Sequence, residues 1–283
     1  MRVLPAFPSA ILLSIVLLLT SACAVTTNPE RVPDPLFGLG DRELFVLHSE
    51  TLDRDSHILV RLPRSYGESD RSYPMVLLLD GGILFPMLVP FQLMMEAEGS
   101  AEELIVVGVS YGGLGFANGN LRGTDYTAPS ADVPYFGGAA AYQDFLADEL
   151  LPRLQARYRI DASKRLLLGQ SLGGQFAIHA ALTRPELFAT HVAVNPALHA
   201  NLGYFHALQP QPDAAPSRLV VVLGTEDEPR YRLPALEWLG LRPACPGCSL
   251  TLEVLELPGG HHASSAPAAY FEVVRRLYPA LTD

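Results

Sequence analysis

The sequence predicts an α/β fold in which a mostly parallel central sheet is covered by helices on both faces. The first observation is a set of largely apolar runs, which are typical of strands buried on both faces. They are Met75–Leu79, Leu104–Val109, Arg165–Leu168 and Leu219–Leu223. The second is helical periodicity, with apolar residues three and four apart, between or after these runs. It covers Ala140–Tyr158, Gly173–Thr183 and Ala266–Tyr278, and strands that alternate with helices form α/β sheets.

An antiparallel edge is predicted at the N-terminal side of this sheet. Leu44–His48 and His57–Leu62 are short strand-like runs, separated by the polar stretch Ser49–Ser56. The chain has 283 residues, of which 49% are hydrophobic, a size at which α/β folds form one domain. No linker composition follows the first 40 residues. We therefore expect a single catalytic domain over residues 41–283.

The N-terminus has the pattern of a secretory signal peptide over residues 1–22. A positive charge at Arg2 precedes the apolar run Ile11–Leu19 and the small residues Thr20–Ala22. The apolar run is about half as long as the roughly 20 residues that a membrane-spanning helix needs. A permanent transmembrane anchor is therefore the less favoured interpretation.

Cys23 follows the small residues directly, as in a bacterial lipobox, where the cysteine is lipidated and becomes the first mature residue. The alternative is ordinary cleavage that leaves a free thiol. The lipobox interpretation predicts an exported protein of the periplasm or cell envelope, with a tether over residues 23–40. Its contact with the membrane would be only through the lipid anchor at Cys23.

Net charge and cysteine content limit which binding partners and which cysteine chemistry the chain can have. The net charge is −10, and an acidic surface argues against a nucleic-acid partner because phosphates repel it. Beyond Cys23 the cysteines are Cys245 and Cys248, in a Cys-Pro-Gly-Cys turn that favours a local disulfide in an oxidising compartment. A redox pair or half of a metal site are the alternatives, but no second cysteine pair exists.

A nucleophile elbow is predicted where the third apolar run ends. Gly169-Gln170-Ser171-Leu172-Gly173 follows this strand and passes directly into a predicted helix, the context in which Gly-x-Ser-x-Gly exposes a reactive serine. The glycines allow a turn so sharp that a side chain would collide with neighbouring backbone. In the alternative interpretation, Gly169 and Gly173 only close-pack a helix on a strand, and Ser171 caps that helix.

A serine needs a base and an orienting carboxylate, and both types follow later in the chain. The fourth apolar run is followed by Glu226-Asp227-Glu228, and the strand-like run Ser249–Leu257 is followed by His261-His262. The order serine, acid, histidine is that of the α/β-hydrolase fold. These patterns alone leave open which carboxylate and which histidine act.

An oxyanion intermediate needs two backbone N–H donors. Leu172, the residue after the serine, supplies one of them. The loop after the first apolar run contains Asp80-Gly81-Gly82-Ile83, which makes Gly82 or Ile83 the second candidate, with Gly82 preferred. No metal and no organic cofactor is implied, because this chemistry is complete without one.

Five short segments of the sequence, taken in order, resemble the Putative esterase family of esterase-D-like α/β-hydrolases, which includes siderophore esterases. The resemblance covers roughly Phe45 to Tyr278. It is carried by Leu77–Gly82, Arg122–Thr127, Phe145–Pro152, Leu168–Gly174 and Arg184–Phe188. The family pattern places the acid three residues after a strand-ending glycine and the base in a His-x-Ser motif. The resemblance therefore implies Asp227 as the acid and His262 as the base.

Two further residues are candidates for substrate binding. Arg122 could hold an anionic substrate, or it could form a structural salt bridge. Asn195 begins Asn-Pro-Ala-Leu-His, where many family members have Ser-Pro-Ser followed by paired aromatic residues, and this segment usually flanks the acyl or catechol pocket.

The sequence thus predicts a serine hydrolase that cleaves a small carboxylic ester through an acyl-enzyme. The ester could be of the siderophore type or another small acyl ester. One alternative is an acyltransferase, in which an alcohol replaces water as the acceptor. The other is a non-catalytic surface lipoprotein that binds a partner through the same cleft.

Overall fold

The computed structural model describes residues 39–113, 115–211, 214–241 and 249–281. Within them, eight strands form one sheet in the order β1-β2-β4-β3-β5-β6-β7-β8. The strands are β1 Arg42–Ser49, β2 Arg54–Arg61, β3 Tyr73–Leu78, β4 Ile105–Ser110, β5 Ile160–Gln170, β6 Thr190–Val194, β7 Ser217–Gly224 and β8 Leu250–Leu257. The predictions for residues 1–22, for Cys23 and for Cys245 with Cys248 concern positions outside the described residues.

The predicted sheet topology is confirmed. β1 pairs with β2 and β2 with β4 in antiparallel fashion, and the other neighbouring strands pair in parallel. β1 and β2 are longer than predicted, because Arg54, Asp55 and Ser56 join the ladder and Arg54 lies opposite Ser49. A polar segment can form a strand at such an edge, where one face meets solvent.

Eight helices of four or more residues lie among the described residues, apart from 3₁₀ and π turns. They are α1 Gly81–Ala97, α2 Arg122–Asp125, α3 Ala139–Asp144, α4 Leu151–Arg157, α5 Leu172–Thr183, α6 Leu202–Ala207, α7 Pro229–Leu241 and α8 Ser265–Leu277. The three predicted helices are confirmed; a π-helical turn over Phe145–Leu150 connects α3 to α4. The sequence did not predict α1 or α7, because both contain proline, which normally interrupts a helix. None of the described helices combines the length and apolarity needed to span a membrane.

Two apolar clusters cover the two faces of the sheet. Neighbouring residues of a strand point to opposite faces, so Val76 packs in the cluster that includes α1 and α8. Leu77 packs in the other cluster, with α5 and the buried residues of α7. The central parallel strands are therefore buried on both sides, as their apolar runs predicted, and their carboxyl ends meet at one edge.

Two histidines are buried in this core and should make the fold sensitive to acid. Burial lowers the pKa of His191, on β6, to about 3, and that of His179, on α5, to about 4. In the unfolded chain each histidine takes up a proton below about pH 6.5. Both groups therefore stabilise the fold fully above that pH, and this contribution is lost as pH falls toward their folded pKa values.

We expect the free energy of unfolding, measured by urea titration, to decrease between pH 7 and pH 5. Each buried histidine should contribute on the order of 2 kcal/mol to that decrease. The variant His191→Gln should show a correspondingly smaller decrease, because glutamine does not titrate. Equal pH dependence of the wild type and this variant would contradict the prediction.

Candidate active site

Ser171 lies at the bend between β5 and α5, in an unusual backbone conformation. Its φ is 59° and its ψ is −115°, a backbone region that residues other than glycine rarely adopt. The backbone N–H of Ser171 donates to the Val194 carbonyl at 2.9 Å. A Cβ at Gly169 would lie 2.2 Å from the Gly173 carbonyl oxygen, so the bend requires glycine there. The neighbouring strand thus holds Ser171 in a strained turn.

The structure brings Ser171, His262 and Asp227 together in a line of hydrogen bonds. His262 Nε2 lies 2.9 Å from Ser171 Oγ. His262 Nδ1 lies 3.0 Å and 3.2 Å from the two carboxylate oxygens of Asp227. The Asp227 carboxylate accepts a hydrogen bond from Nδ1–H, so Nε2 carries the lone pair that is directed at the serine hydroxyl. This arrangement can remove the hydroxyl proton during attack on a carbonyl carbon.

The side chains that flank Asp227 and His262 in the sequence are more exposed than these two. Glu226 and Glu228 are exposed, and Glu228 pairs with Arg230 at 3.0 Å. His261 is exposed as well, and its Nδ1 lies 3.1 Å from the Glu226 carbonyl oxygen. Asp227, in contrast, is buried, and one of its carboxylate oxygens also accepts a hydrogen bond from the Glu228 N–H at 2.7 Å. Burial and these contacts favour Asp227 with His262 over the alternatives left open by the sequence.

Two side-chain amides hold the loop that carries His262. Asn195 Nδ2 donates to the carbonyls of His261 and His262 at 3.1 Å and 3.2 Å, and Asn195 Oδ1 accepts from the Gly224 N–H at 2.7 Å. The amide of Gln170 also donates to the His262 carbonyl. Asn195 is almost fully buried. These contacts favour a positioning role for Asn195 over the substrate contact that we predicted.

A tyrosine that the sequence did not single out stacks on the histidine. The rings of Tyr231 and His262 lie 3.8 Å apart at 18°, and His199 meets the Tyr231 ring edge-on at 5.2 Å. Tyr231 belongs to α7, and neither this helix nor a stacking contact has a recognisable sequence signal. The flat ring of Tyr231 limits rotation of the imidazole. Burial, followed by the charges of Arg230 and His262, lowers the pKa of His199.

The predicted oxyanion donors lie in the first turns of two helices. Leu172 begins α5 and Gly82 is the second residue of α1, so both N–H groups belong to turns without a full set of intrahelical acceptors. The Ile83 N–H donates to the Asp80 carbonyl at 2.8 Å. Gly82 is therefore the better candidate of the two.

Arg122 holds Asp80, at the start of the loop that carries the predicted oxyanion donor Gly82. Its guanidinium bonds the carboxylate of Asp80 through two hydrogen bonds of 2.7 Å and 2.8 Å. Asp80 has a left-handed backbone, with a φ of 53°, and its N–H donates to the Tyr126 hydroxyl at 3.1 Å. Of the two roles considered for Arg122, the structure favours the structural salt bridge, because the guanidinium is already occupied by an anion of the chain.

A cavity of about 510 Å³ lies beside Gly82, between the start of α1 and strands β1 and β2. This volume is in the range of small-molecule sites. Its lining is largely apolar and includes Leu39, Leu44, Leu59, Phe85 and Pro86. No group of three or more His, Cys, Asp or Glu side chains that could hold a metal ion occurs in the part of the chain that the structure describes.

The buried carboxylate leads to a specific prediction. Asp227→Asn is expected to lower kcat by roughly 10³- to 10⁴-fold, because an amide N–H facing Nδ1 favours the imidazole tautomer that cannot accept the serine proton. Steady-state kinetics on a p-nitrophenyl ester measures this loss. Glu226→Gln and Glu228→Gln are matched controls and should remain active. If either control lost as much activity as Asp227→Asn, the orienting role of Asp227 would be wrong.

Comparison with known protein families and sequences identifies similar proteins. The model of the family described as "Putative esterase" matches residues 49–232. Ferri-bacillibactin esterase BesA of Bacillus subtilis is 27% identical over 179 residues, which are 58% of this chain and 61% of that protein. A siderophore triacetylfusarinine C esterase of Aspergillus fumigatus is 34% identical over 100 residues, or 34% of each chain. The chain thus matches about three fifths or less of the length of these two relatives.

Solved structures of hydrolases share the fold. Siderophore hydrolase EstB from Aspergillus nidulans superposes with a TM-score of 0.73 at 24% identity, covering 84% of this chain and 95% of that one. An IroE-like serine hydrolase from Shewanella oneidensis superposes with a TM-score of 0.72 at 21% identity, covering 84% and 80%. At such low identity the likeness shows the architecture, and the α/β-hydrolase fold predicted from the sequence is confirmed.

Proposed function

Because the chain belongs to the Putative esterase family, we propose that it is a serine esterase that cleaves small carboxylic esters through an acyl-enzyme on Ser171. One observation carries the proposal. At the strained bend, Ser171 Oγ lies 2.9 Å from an imidazole nitrogen whose ring is held on its other side by a buried carboxylate. This is the arrangement that activates a serine for acyl transfer.

In the first half of the reaction, Ser171 Oγ attacks the ester carbonyl carbon while His262 Nε2 accepts the hydroxyl proton. The negative Asp227 stabilises the resulting imidazolium. The oxyanion of the tetrahedral intermediate accepts hydrogen bonds from the N–H groups of Leu172 and Gly82. Collapse of the intermediate breaks the ester C–O bond, and His262 gives its proton to the departing alcohol.

The second half repeats these steps with water. His262 Nε2 accepts a proton from water as its oxygen attacks the acyl carbon of the ester formed on Ser171. The new oxyanion is held by the same two N–H groups. Collapse releases the carboxylic acid and returns the proton to Ser171 Oγ, so the enzyme ends in its initial state.

For the substrate we propose a small acyl ester, and a siderophore ester is the type of substrate to test first. The names of the two curated relatives support that choice. The charges near the site are less suited to an anionic iron complex. Arg122 is paired with Asp80, and Arg230 is paired with Glu228. We therefore expect neutral esters to be bound more readily than anionic ones.

We also propose that the protein is exported and tethered to the membrane through a lipid on Cys23. The charge at Arg2, the short apolar run Ile11–Leu19 and the small residues before Cys23 support this part of the proposal. Two signals, such as acyl chains together with a further contact, make such anchoring stable.

A fluorophosphonate probe and an ester panel test the function. Purified protein should react covalently with the probe at Ser171. It should hydrolyse p-nitrophenyl esters, with the rate depending on acyl length, and a ferric trilactone siderophore assayed beside them tests the substrate type. Absence of both labelling and hydrolysis would favour the non-catalytic binding lipoprotein.

A further inference from the structure

The solvent-facing side of helix α1 is apolar along its whole length. No charged residue occurs between Gly81 and Met95. The inner side of the helix packs on the sheet through residues such as Leu84 and Leu88. The outer side, here called the α1 outer face, consists of Ile83, Pro86, Met87, Pro90 and Met94. Phe91, beside it, is half-buried and packs on Phe271 of α8.

Much of the α1 outer face is open to solvent. Ile83, Met87 and Met94 are 49%, 41% and 63% exposed. A surface helix normally places charged or polar residues on its outer side, and a helix that is apolar all round is normally covered. Contiguous exposed apolar patches mark interaction sites. The α1 outer face therefore lacks a covering partner within the described residues.

The position of the tether indicates what covers this face. Leu39, the first described residue, lines the cavity beside Pro86 and Leu44, and Leu44 is itself 64% exposed. The chain therefore runs toward Cys23 from a point next to α1. Fully extended, the chain from Cys23 to Leu39 spans at most about 58 Å. A lipid on Cys23 would keep Leu39, beside the start of α1, within that distance of a bilayer.

Charge favours a bilayer over a second copy of the chain. Each copy carries a net charge of −10, so two copies repel each other. The α1 outer face itself has no charge, and a zwitterionic lipid surface adds no net charge that would repel the protein. Binding to a membrane interface strengthens with the apolar area that is buried in it, and the α1 outer face offers such area.

We propose that the α1 outer face docks on the surface of a lipid bilayer, with the axis of α1 in the membrane plane. The Gly82 end of α1 then lies at the membrane surface, beside the apolar cavity. This docking does not depend on catalysis. It adds to the predicted lipid anchor a second contact with the membrane.

Tryptophan substitutions in the full chain test the proposal. Met87→Trp and Met94→Trp introduce a fluorophore on the α1 outer face, and Leu233→Trp is the control. Leu233 is 61% exposed, close to the value for Met94, but it lies on α7, which packs on the opposite face of the sheet. The sequence has one tryptophan, Trp238, which is buried, so its emission in the wild type can be subtracted.

The emission is measured with vesicles of phosphatidylcholine whose acyl chains are brominated, because bromine quenches tryptophan at contact distance. Bilayer docking predicts that at least about half of the added emission is quenched at positions 87 and 94, with little quenching at 233. Equal quenching at all three positions, or none at 87 and 94, would overturn the proposal. The proposal would also be overturned if the protein formed a dimer with increasing concentration and Met94→Glu dissociated that dimer. The choice of a bilayer rests on the proposed lipid on Cys23, but no ester hydrolysis is measured, so a failure here leaves the proposed esterase activity untouched.

Discussion

Replacing Ser171 with alanine is expected to lower kcat for ester hydrolysis by about 10⁴- to 10⁶-fold, because no other group can form the acyl-enzyme. The hydroxyl contacts His262 Nε2, whereas the bend itself is held by the Ser171 backbone, which bonds Val194 and Ala197. The variant should therefore keep its fold, with a change in the free energy of unfolding below about 1 kcal/mol. Steady-state kinetics and urea titration measure the two quantities.

Ser264→Ala is the matched control for this experiment. Ser264 is an exposed serine two residues after His262, and its side chain does not cap the helix that follows. It should retain both ester hydrolysis and labelling by the fluorophosphonate, whereas Ser171→Ala should lose both. Substantial residual hydrolysis in Ser171→Ala would refute the acyl-enzyme mechanism.

The adjacent histidines allow an equally sharp prediction. His262→Ala is expected to reduce kcat by roughly 10⁴- to 10⁶-fold, because the serine then has no base to accept its proton. His261→Ala should change kcat by less than about tenfold, since its ring is exposed and faces the Glu226 carbonyl. Both variants keep the backbone carbonyls that Asn195 bonds, so the loop should stay in place.

The comparison is made with the same ester at several pH values, so that a shifted optimum is not mistaken for a loss of activity. The reverse result, with His261→Ala inactive and His262→Ala active, would show that the loop adopts another arrangement in solution. Similar losses in both variants would instead indicate damage to the loop.

The fold could be predicted wherever a strand or helix has its own sequence period. Three of the four apolar runs and the periodic segments of α3–α4, α5 and α8 appear in the structure with bounds close to those predicted. β5 extends well beyond its apolar run, over Ile160–Gln170, and β6 was not predicted. Helix α1 could not be predicted in this way. Pro86 and Pro90 lie within it, and its outer face is as apolar as its inner face, so it has no amphipathic period.

For the site, the sequence by itself determined the bend at Ser171 and the order of serine, acid and histidine. The bend is a local property, because the glycines and the flanking strand and helix lie within a few residues of the serine, and the order can be read directly along the chain. The family resemblance already implied Asp227 and His262 rather than their chain neighbours. Only the tertiary structure showed their hydrogen bonds in line with Ser171, placed Tyr231 on the imidazole and directed Asn195 to the histidine loop. The physical reason is distance along the chain. Ser171 and His262 are 91 residues apart. The directions of the side chains at 226–228 and 261–262 depend on how the loops after β7 and β8 pack beside the end of β5.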